Sequence, residues 1–192
     1  MTLQALEPQD AELIVALAAG YYPEEMHLDV DEIAQSLATA EEEGGNFSSG
    51  LLENGQLCGY LLAWLEESRI DGLLESVVLI DDVAIATGSI GDLQRLFRNL
   101  IAQIEDSGLS HLAIESSLLP DTRDTFLGQH RFFAGLGYEL VASQDYWEEE
   151  LGVEMTWVRY ERPVEVEASV TAECWDGSEF APDDEEFDEF PE

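Results

Sequence analysis

The chain contains no lysine and only seven arginines, against 43 aspartates and glutamates, for a formal charge of −36 over 192 residues. Phosphate backbones are gripped through lysine and arginine, so this lack excludes direct binding of nucleic acid. A field of one sign also repels like-charged partners, attracts cations and basic surfaces, and works against compaction. Arginine is scarce as well as lysine, so codon bias does not account for the deficit and the acidity itself is selected. Cysteine is equally sparse. Cys58 and Cys174 lie in unlike segments and spell neither a disulfide framework nor a metal motif. No run approaches the roughly 18 apolar residues that span a membrane. No basic start followed by an apolar stretch marks a secretory signal, so the expectation is a cytoplasmic protein without a membrane partner.

Apolar residues still make up 45 % of the chain, enough for a core. The length and the change in composition predict one domain over 1–162 and an acidic segment over 163–192. That segment holds 12 acids and no base from Glu165 onward. It lacks hydrophobic periodicity, and the composition predicts disorder. Its run from Asp183 to Glu189 lacks the spacing of a calcium loop, so no metal site is expected.

Within the domain, a strand is predicted over Leu3 to Leu6 and a helix from Pro8 with Leu13, Ile14, Leu17 and Ala18 on one face. A second helix carries Val30, Ile33, Ala34, Leu37 and Ala38 behind an Asp29 cap. Asn54-Gly55 between Phe47–Glu53 and Gln56–Trp64 is a hairpin signal, because both residues accept positive φ. A long strand follows over Leu74 to Ala86, interrupted by Asp81 and Asp82. Ile90 to Ile104 then has helical spacing, stopped by Gly108. A strand from His111 to Glu115, a helix from Asp121 to Ala134, and strands at Tyr138–Val141 and Val153–Tyr160 complete the order β-αα-βββ-α-β-α-ββ. This is an α/β protein with a mixed central sheet flanked by helices.

That order, with Leu-Ile-Asp-Asp-Val-Ala-Ile at 79–85, a long helix, and Phe132-Phe133-Ala134-Gly135-Leu136-Gly137-Tyr138, resembles the GCN5-related N-acetyltransferase (GNAT) superfamily over residues 3–161. The resemblance implies acetyl-CoA as cosubstrate. Backbone groups of the long strand, at Val83 and Ile85, would meet its acetyl and pantetheine portion. Gly88, Ser89 and Gly91 at the start of the next helix would meet its pyrophosphate, as helix starts favour anions, with Arg95 nearby. Two features depart from the pattern. Asp92 stands in the phosphate loop, and no Arg or Gln precedes its glycines. Phe133 occupies the position where the family often has a tyrosine that protonates the leaving thiolate. It reads as a core residue, and His130, Ser117 and Tyr146 are the alternatives as proton donor. Arg98 shares the helix with Arg95, and both also read as partners for surface acids.

An acetyl acceptor must lose a proton, and a carboxylate raised by burial or like charge can take it. Glu75, Asp81 and Asp82 lie on or beside the long strand where the family places such a base. In a regular strand, Asp81 and Asp82 would face opposite sides. The acidic field suits a small or peptidic cationic amine. Two functions therefore stay open: an acyl-CoA-dependent N-acetyltransferase, and a catalytically degenerate acidic binding protein. The second would have a basic protein as partner and imitate DNA in the groove of a nucleic-acid enzyme. Salt adaptation is a further account of the charge, compatible with the first.

Overall fold

The computed structural model describes residues 1–22, 27–70, 73–109, 112–119, 129–149 and 151–163. The acidic segment over 164–192 and most of the helix expected over 121–134 lie outside them. The elements are β1 (Thr2–Ala5), a 3-10 turn (Pro8–Asp10), α1 (Ala11–Ala18), α2 (Val30–Glu42), β2 (Ser49–Glu53), β3 (Gln56–Ile70), β4 (Leu73–Ile85), α3 (Ile90–Asp106), β5 (Ala113–Leu118), α4 (His130–Gly135), β6 (Glu139–Glu148) and β7 (Val153–Glu161). This is the expected order. Among the described residues, seven strands form one sheet in the order β1-β2-β3-β4-β5-β7-β6, with β4 and β5 its only parallel pair.

Local chemistry fixes several boundaries. Asn54 and Gly55 both take positive φ, 53° and 80°, the tight turn that these two residue types favour. Asp29 caps α2 by accepting from the amides of Asp31 at 2.8 Å and Glu32 at 3.1 Å. The helix expected from Pro8 begins as a 3-10 turn, with Asp10 accepting from the Glu7 amide at 3.0 Å. Gly108, at φ +77°, ends α3.

The sheet has an apolar layer on each face. On one, α3 buries Leu93, Leu96, Phe97, Leu100, Ile101 and Ile104 against β3, β4, β5 and β7. Each such side chain contributes roughly 1.5–3 kcal/mol on removal from water. On the other, Ile14 and Ala18 of α1 and Ile33 and Leu37 of α2 meet Tyr60, Leu62 and Ala84.

One irregularity positions everything that follows. Leu62 of β3 pairs with Asp82 and Ala63 with Ile80, so Asp81 is an extra, unpaired residue, a β-bulge. Before it, Val78 and Ile80 face the α3 layer. After it, Val83 and Ile85 do, while Ala84 joins the α1–α2 layer. Regular alternation would have sent Asp82 into the α3 core beside Ile80. The bulge keeps that carboxylate out of it. The expectation that Asp81 and Asp82 face opposite sides is corrected here, because alternation does not survive an inserted residue.

Candidate active site

β4 and β5 pair only from Val77 to Ile80 against Ala113 to Ser116. Beyond that point Ser117 and Leu118 stay with β7, and β4 stays with β3 as far as Ile85. The two strands part, and among the described residues no strand covers the β5 side of β4 from Asp81 to Ile85. The Ser116 hydroxyl donates to the Ile80 carbonyl at 2.9 Å at the fork itself. The Ala86 amide donates to Cys58 O on β3 at 2.8 Å. Amides alternate along a strand, so those of Val83 and Ile85 aim at the opening. The Val83 amide donates to Asp82 Oδ1 at 2.8 Å. An extended, amide-bearing ligand can add to such an edge as a strand would.

The bulge sets four polar side chains at the fork. Asp82 accepts from the Tyr22 hydroxyl, from the Tyr60 hydroxyl at 2.5 Å, and from the Val83 amide. Tyr60 is fully buried, and Tyr22 comes from the chain just after α1. Burial pushes the Asp82 carboxyl up, and the three hydrogen bonds only partly offset it. Both phenols are raised, chiefly by burial and then by the Asp82 charge. Asp81 is pushed up to about 6 by loss of water, then by the Asp82 carboxylate, then by Glu66. Its surface is nonetheless exposed, so solvent screens part of this push. An exposed carboxyl with a raised pKa, beside a carboxylate fixed by tyrosines, can take a proton near neutral pH.

Ala86 to Ser89 link β4 to α3. Gly88 adopts φ +61°, and a Cβ there would meet nothing within 4 Å; at Gly91 it would meet only Ser89 Oγ at 3.6 Å. The backbone is thus open to close approach. Ser89 caps the helix by accepting from the Asp92 amide at 3.4 Å. The Asp92 carboxylate sits at the same first turn, accepts from the Thr87 hydroxyl at 3.1 Å and pairs with Arg95 at 3.6 Å. Arg95 also donates to the Met1 carbonyl at 3.3 Å. The glycines fit a phosphate, whereas Asp92 opposes one and occupies the arginine that would welcome it.

Glu75 does not join this group. It lies near the other end of β4, six residues and roughly 20 Å of strand from Asp81. There Arg159 donates to Glu75 and Glu115 at 2.7 Å each and to Glu161 at 2.5 Å. Trp157 Nε1 adds a bond to Glu115 at 3.2 Å. Burial pulls the guanidinium pKa down, but its bonds to Glu161, Glu75 and Glu115 outweigh that and hold it raised. Phe133 is fully buried and stacks on Tyr160 with ring centres 4.5 Å apart, which is the core role read from the sequence. Of the alternative proton donors, Ser117 is half-buried next to the fork, His130 is exposed at the start of α4, and Tyr146 donates to Met155 Sδ at 3.7 Å on the β6–β7 hairpin. Sequence reading missed Tyr22, Tyr60 and Ser116. Each is tied to the site only by a fold that joins positions 22 to 60 residues apart.

No protein-family model matches the sequence, and no curated protein matches it. Solved structures do. Naa50 of Arabidopsis thaliana, bound to the bisubstrate analogue CoA-Ac-MVNAL, matches with a TM-score of 0.59 at 14 % identity, over 83 % of this chain and 97 % of that one. Naa20 of Chaetomium thermophilum, with a bisubstrate analogue, gives 0.61 at 15 %, over 84 % and 86 %. GphF, a GNAT-like decarboxylase with isobutyryl-CoA, gives 0.58 at 15 %, over 85 % and 100 %. The chain therefore has the GNAT fold. That fold also serves a decarboxylase, so the reaction has to be argued from the site.

Proposed function

We propose that the protein is an acyl-CoA-dependent N-acetyltransferase that takes acetyl-CoA as cosubstrate and a small or peptidic cationic amine as acceptor. The observation that carries this reading is the fork between β4 and β5, with an uncovered strand edge on one side and Asp81 at its mouth. Similar folds hold CoA-derived ligands in the Naa50 and GphF structures. In this reading the amide of Ile85, and that of Val83 in exchange for its bond to Asp82, orient the acyl carrier, and Gly88, Ser89 and Gly91 receive its phosphates with Arg95. Asp81 takes the proton from the ammonium. The amine nitrogen then bonds to the acyl carbon, the carbon–sulfur bond breaks with its electron pair on sulfur, and the nitrogen's second proton passes to the departing thiolate. Asp82, held by Tyr22 and Tyr60, positions negative charge beside Asp81 and favours a cationic acceptor. Glu75, engaged with Arg159, has no part in the reaction.

Calorimetric titration with acetyl-CoA, at low and at molar salt, tests this directly. Micromolar binding at either salt supports it, and absence of binding at both rejects it. The second reading, an acidic binding protein on the same fold, is favoured by the Asp92 carboxylate at the start of α3 and by Phe133 in the core. It requires a basic partner bound with an affinity that falls steeply with salt, and no acetyl-CoA binding.

A further inference from the structure

Several runs of this acidic chain contain no acid, and two of them carry bases. Residues 93–104 contain no acid but carry Arg95 and Arg98, and residues 129–138 contain no acid but carry His130 and Arg131. The fold packs these two runs together. Phe97 of α3 and Phe133 of α4 lie 5.1 Å apart between ring centres, and the Arg98 guanidinium lies 5.3 Å above the Phe132 ring. Arg98 and Arg131 are exposed, and neither has an ion pair among the described residues. Arg159 and Arg162, by contrast, are both held by glutamates. The α3–α4 face thus presents Arg98 and Arg131, unpaired among the described residues, around the half-buried Phe132 ring, with Asp92 and Glu105 at its margins, on a molecule of charge −36.

The chain leaves the sheet beside this patch. Arg162 stacks over Tyr138 at 4.9 Å and donates to the Leu136 carbonyl at 3.3 Å, just past the end of α4. α4 spans about 9 Å at 1.5 Å per residue, so Arg131 is little more than a helix turn or two from the exit. Residues 164–192 follow, with Glu165 and Glu167 directly after Pro163 and with Trp175, Phe180, Phe187 and Phe190 further on. Treated as a free chain, such a segment spans about 30 Å root-mean-square. Its tether gives an effective concentration on the order of millimolar.

We propose that residues 164–192 dock on the α3–α4 face of their own domain, with their carboxylates on Arg98 and Arg131 and an aromatic side chain against Phe132. The docking goes beyond the acetyl-transfer reading. If that reading also holds, the segment competes with the anionic acyl carrier for α3. The test uses the full chain with Cys58→Ser, a spin label on Cys174 and nitrogen-15 amide spectra. Docking broadens the amides of 95–98 and 131–135 to less than half their intensity. It spares α1 and α2 on the opposite face of the sheet. The broadening disappears in Arg98→Glu/Arg131→Glu, in the milder Arg98→Gln/Arg131→Gln should the first fail to fold, and at molar salt. Broadening spread evenly over both faces, or unchanged by these substitutions, overturns the proposal. The measurement contains no acetyl-CoA, so its outcome stands apart from that of the calorimetric titration.

Discussion

Replacing Arg159 with methionine removes a cation that faces three carboxylates. The partners differ in burial: the Glu115 side chain is 6 % exposed, while those of Glu75 and Glu161 are 44 % exposed. Water rescues the latter two, whose pairs are worth about 0–1 kcal/mol each. Glu115 is left in the sheet without its arginine, and removing one partner of a buried pair costs about 3–5 kcal/mol. At roughly 2–4 °C per kcal/mol for a chain of this size, Arg159→Met lowers the melting temperature by about 6–20 °C. Urea denaturation at neutral pH and fixed salt measures the loss. The double variant Arg159→Met/Glu115→Met recovers most of it, because exchanging both charges for apolar groups is close to neutral. Arg159→Lys recovers less, since an ammonium cannot reproduce the guanidinium fork. A loss below about 1 kcal/mol for Arg159→Met, or no recovery in the double variant, refutes the account and reopens Glu75 as a free carboxylate.

Asp81→Asn lowers kcat/KM for acetyl transfer by about 10²–10⁴-fold and abolishes the rise in rate through pH 6, measured with a thiol-release assay. Its effect on stability has the opposite sign. The folded-state pKa is raised, so the stabilisation is complete below pH 4 and is lost as pH rises toward 6. At pH 7 the variant unfolds at an equal or slightly higher urea concentration, and a clear loss there contradicts the reading. Tyr60→Phe costs about 1.5–3 kcal/mol at neutral pH by removing a buried bond to a charged group. That cost shrinks at acid pH as Asp82 takes up a proton. Asp92→Asn tightens acetyl-CoA binding several-fold at low salt and has no effect at molar salt; unchanged low-salt affinity removes the phosphates from the start of α3. A chain ending at Pro163 keeps its melting temperature within about 2 °C at molar salt, where docking is screened, as expected if the removed segment adds no core; a large fall there shows that it contributes to the core.

Elements with strong local chemistry were legible in the sequence. Asn54-Gly55, the Asp29 cap and the apolar face of α3 each announce themselves within one turn of chain. Strand ends outside the core were not. β3 runs on to Ile70 instead of Trp64, through Glu66 and Glu67, because pairing with β4 sustains it without burial. β6 spans Glu139–Glu148, well past the expected Val141, and it is exposed along most of its length. An edge strand held by the hydrogen bonds of β7 needs no hydrophobic alternation, so none is written in it. β5 sits later than expected, at Ala113–Leu118. The site was half legible. Asp81 and Asp82 stood out as charges in an apolar strand, whereas the bulge between their registers is a property of two strands together.

The bulge makes the site sensitive to length more than to chemistry. Strand facing is a two-valued property, and Asp81 is the residue that switches it for everything up to Ile85. Deleting Asp81 would act on the folded sheet as a frameshift acts on a message. Every later side chain would keep its identity and exchange its compartment: Asp82 would enter the α3 layer, and Val83 and Ile85 would turn toward α1 and α2. Substitution at this position tunes a proton, whereas loss of the position inverts the strand. Variation by insertion or deletion is therefore closed at a point that tolerates exchange of side chains, and the spacing from Ile80 to Gly88 is what the fork depends on.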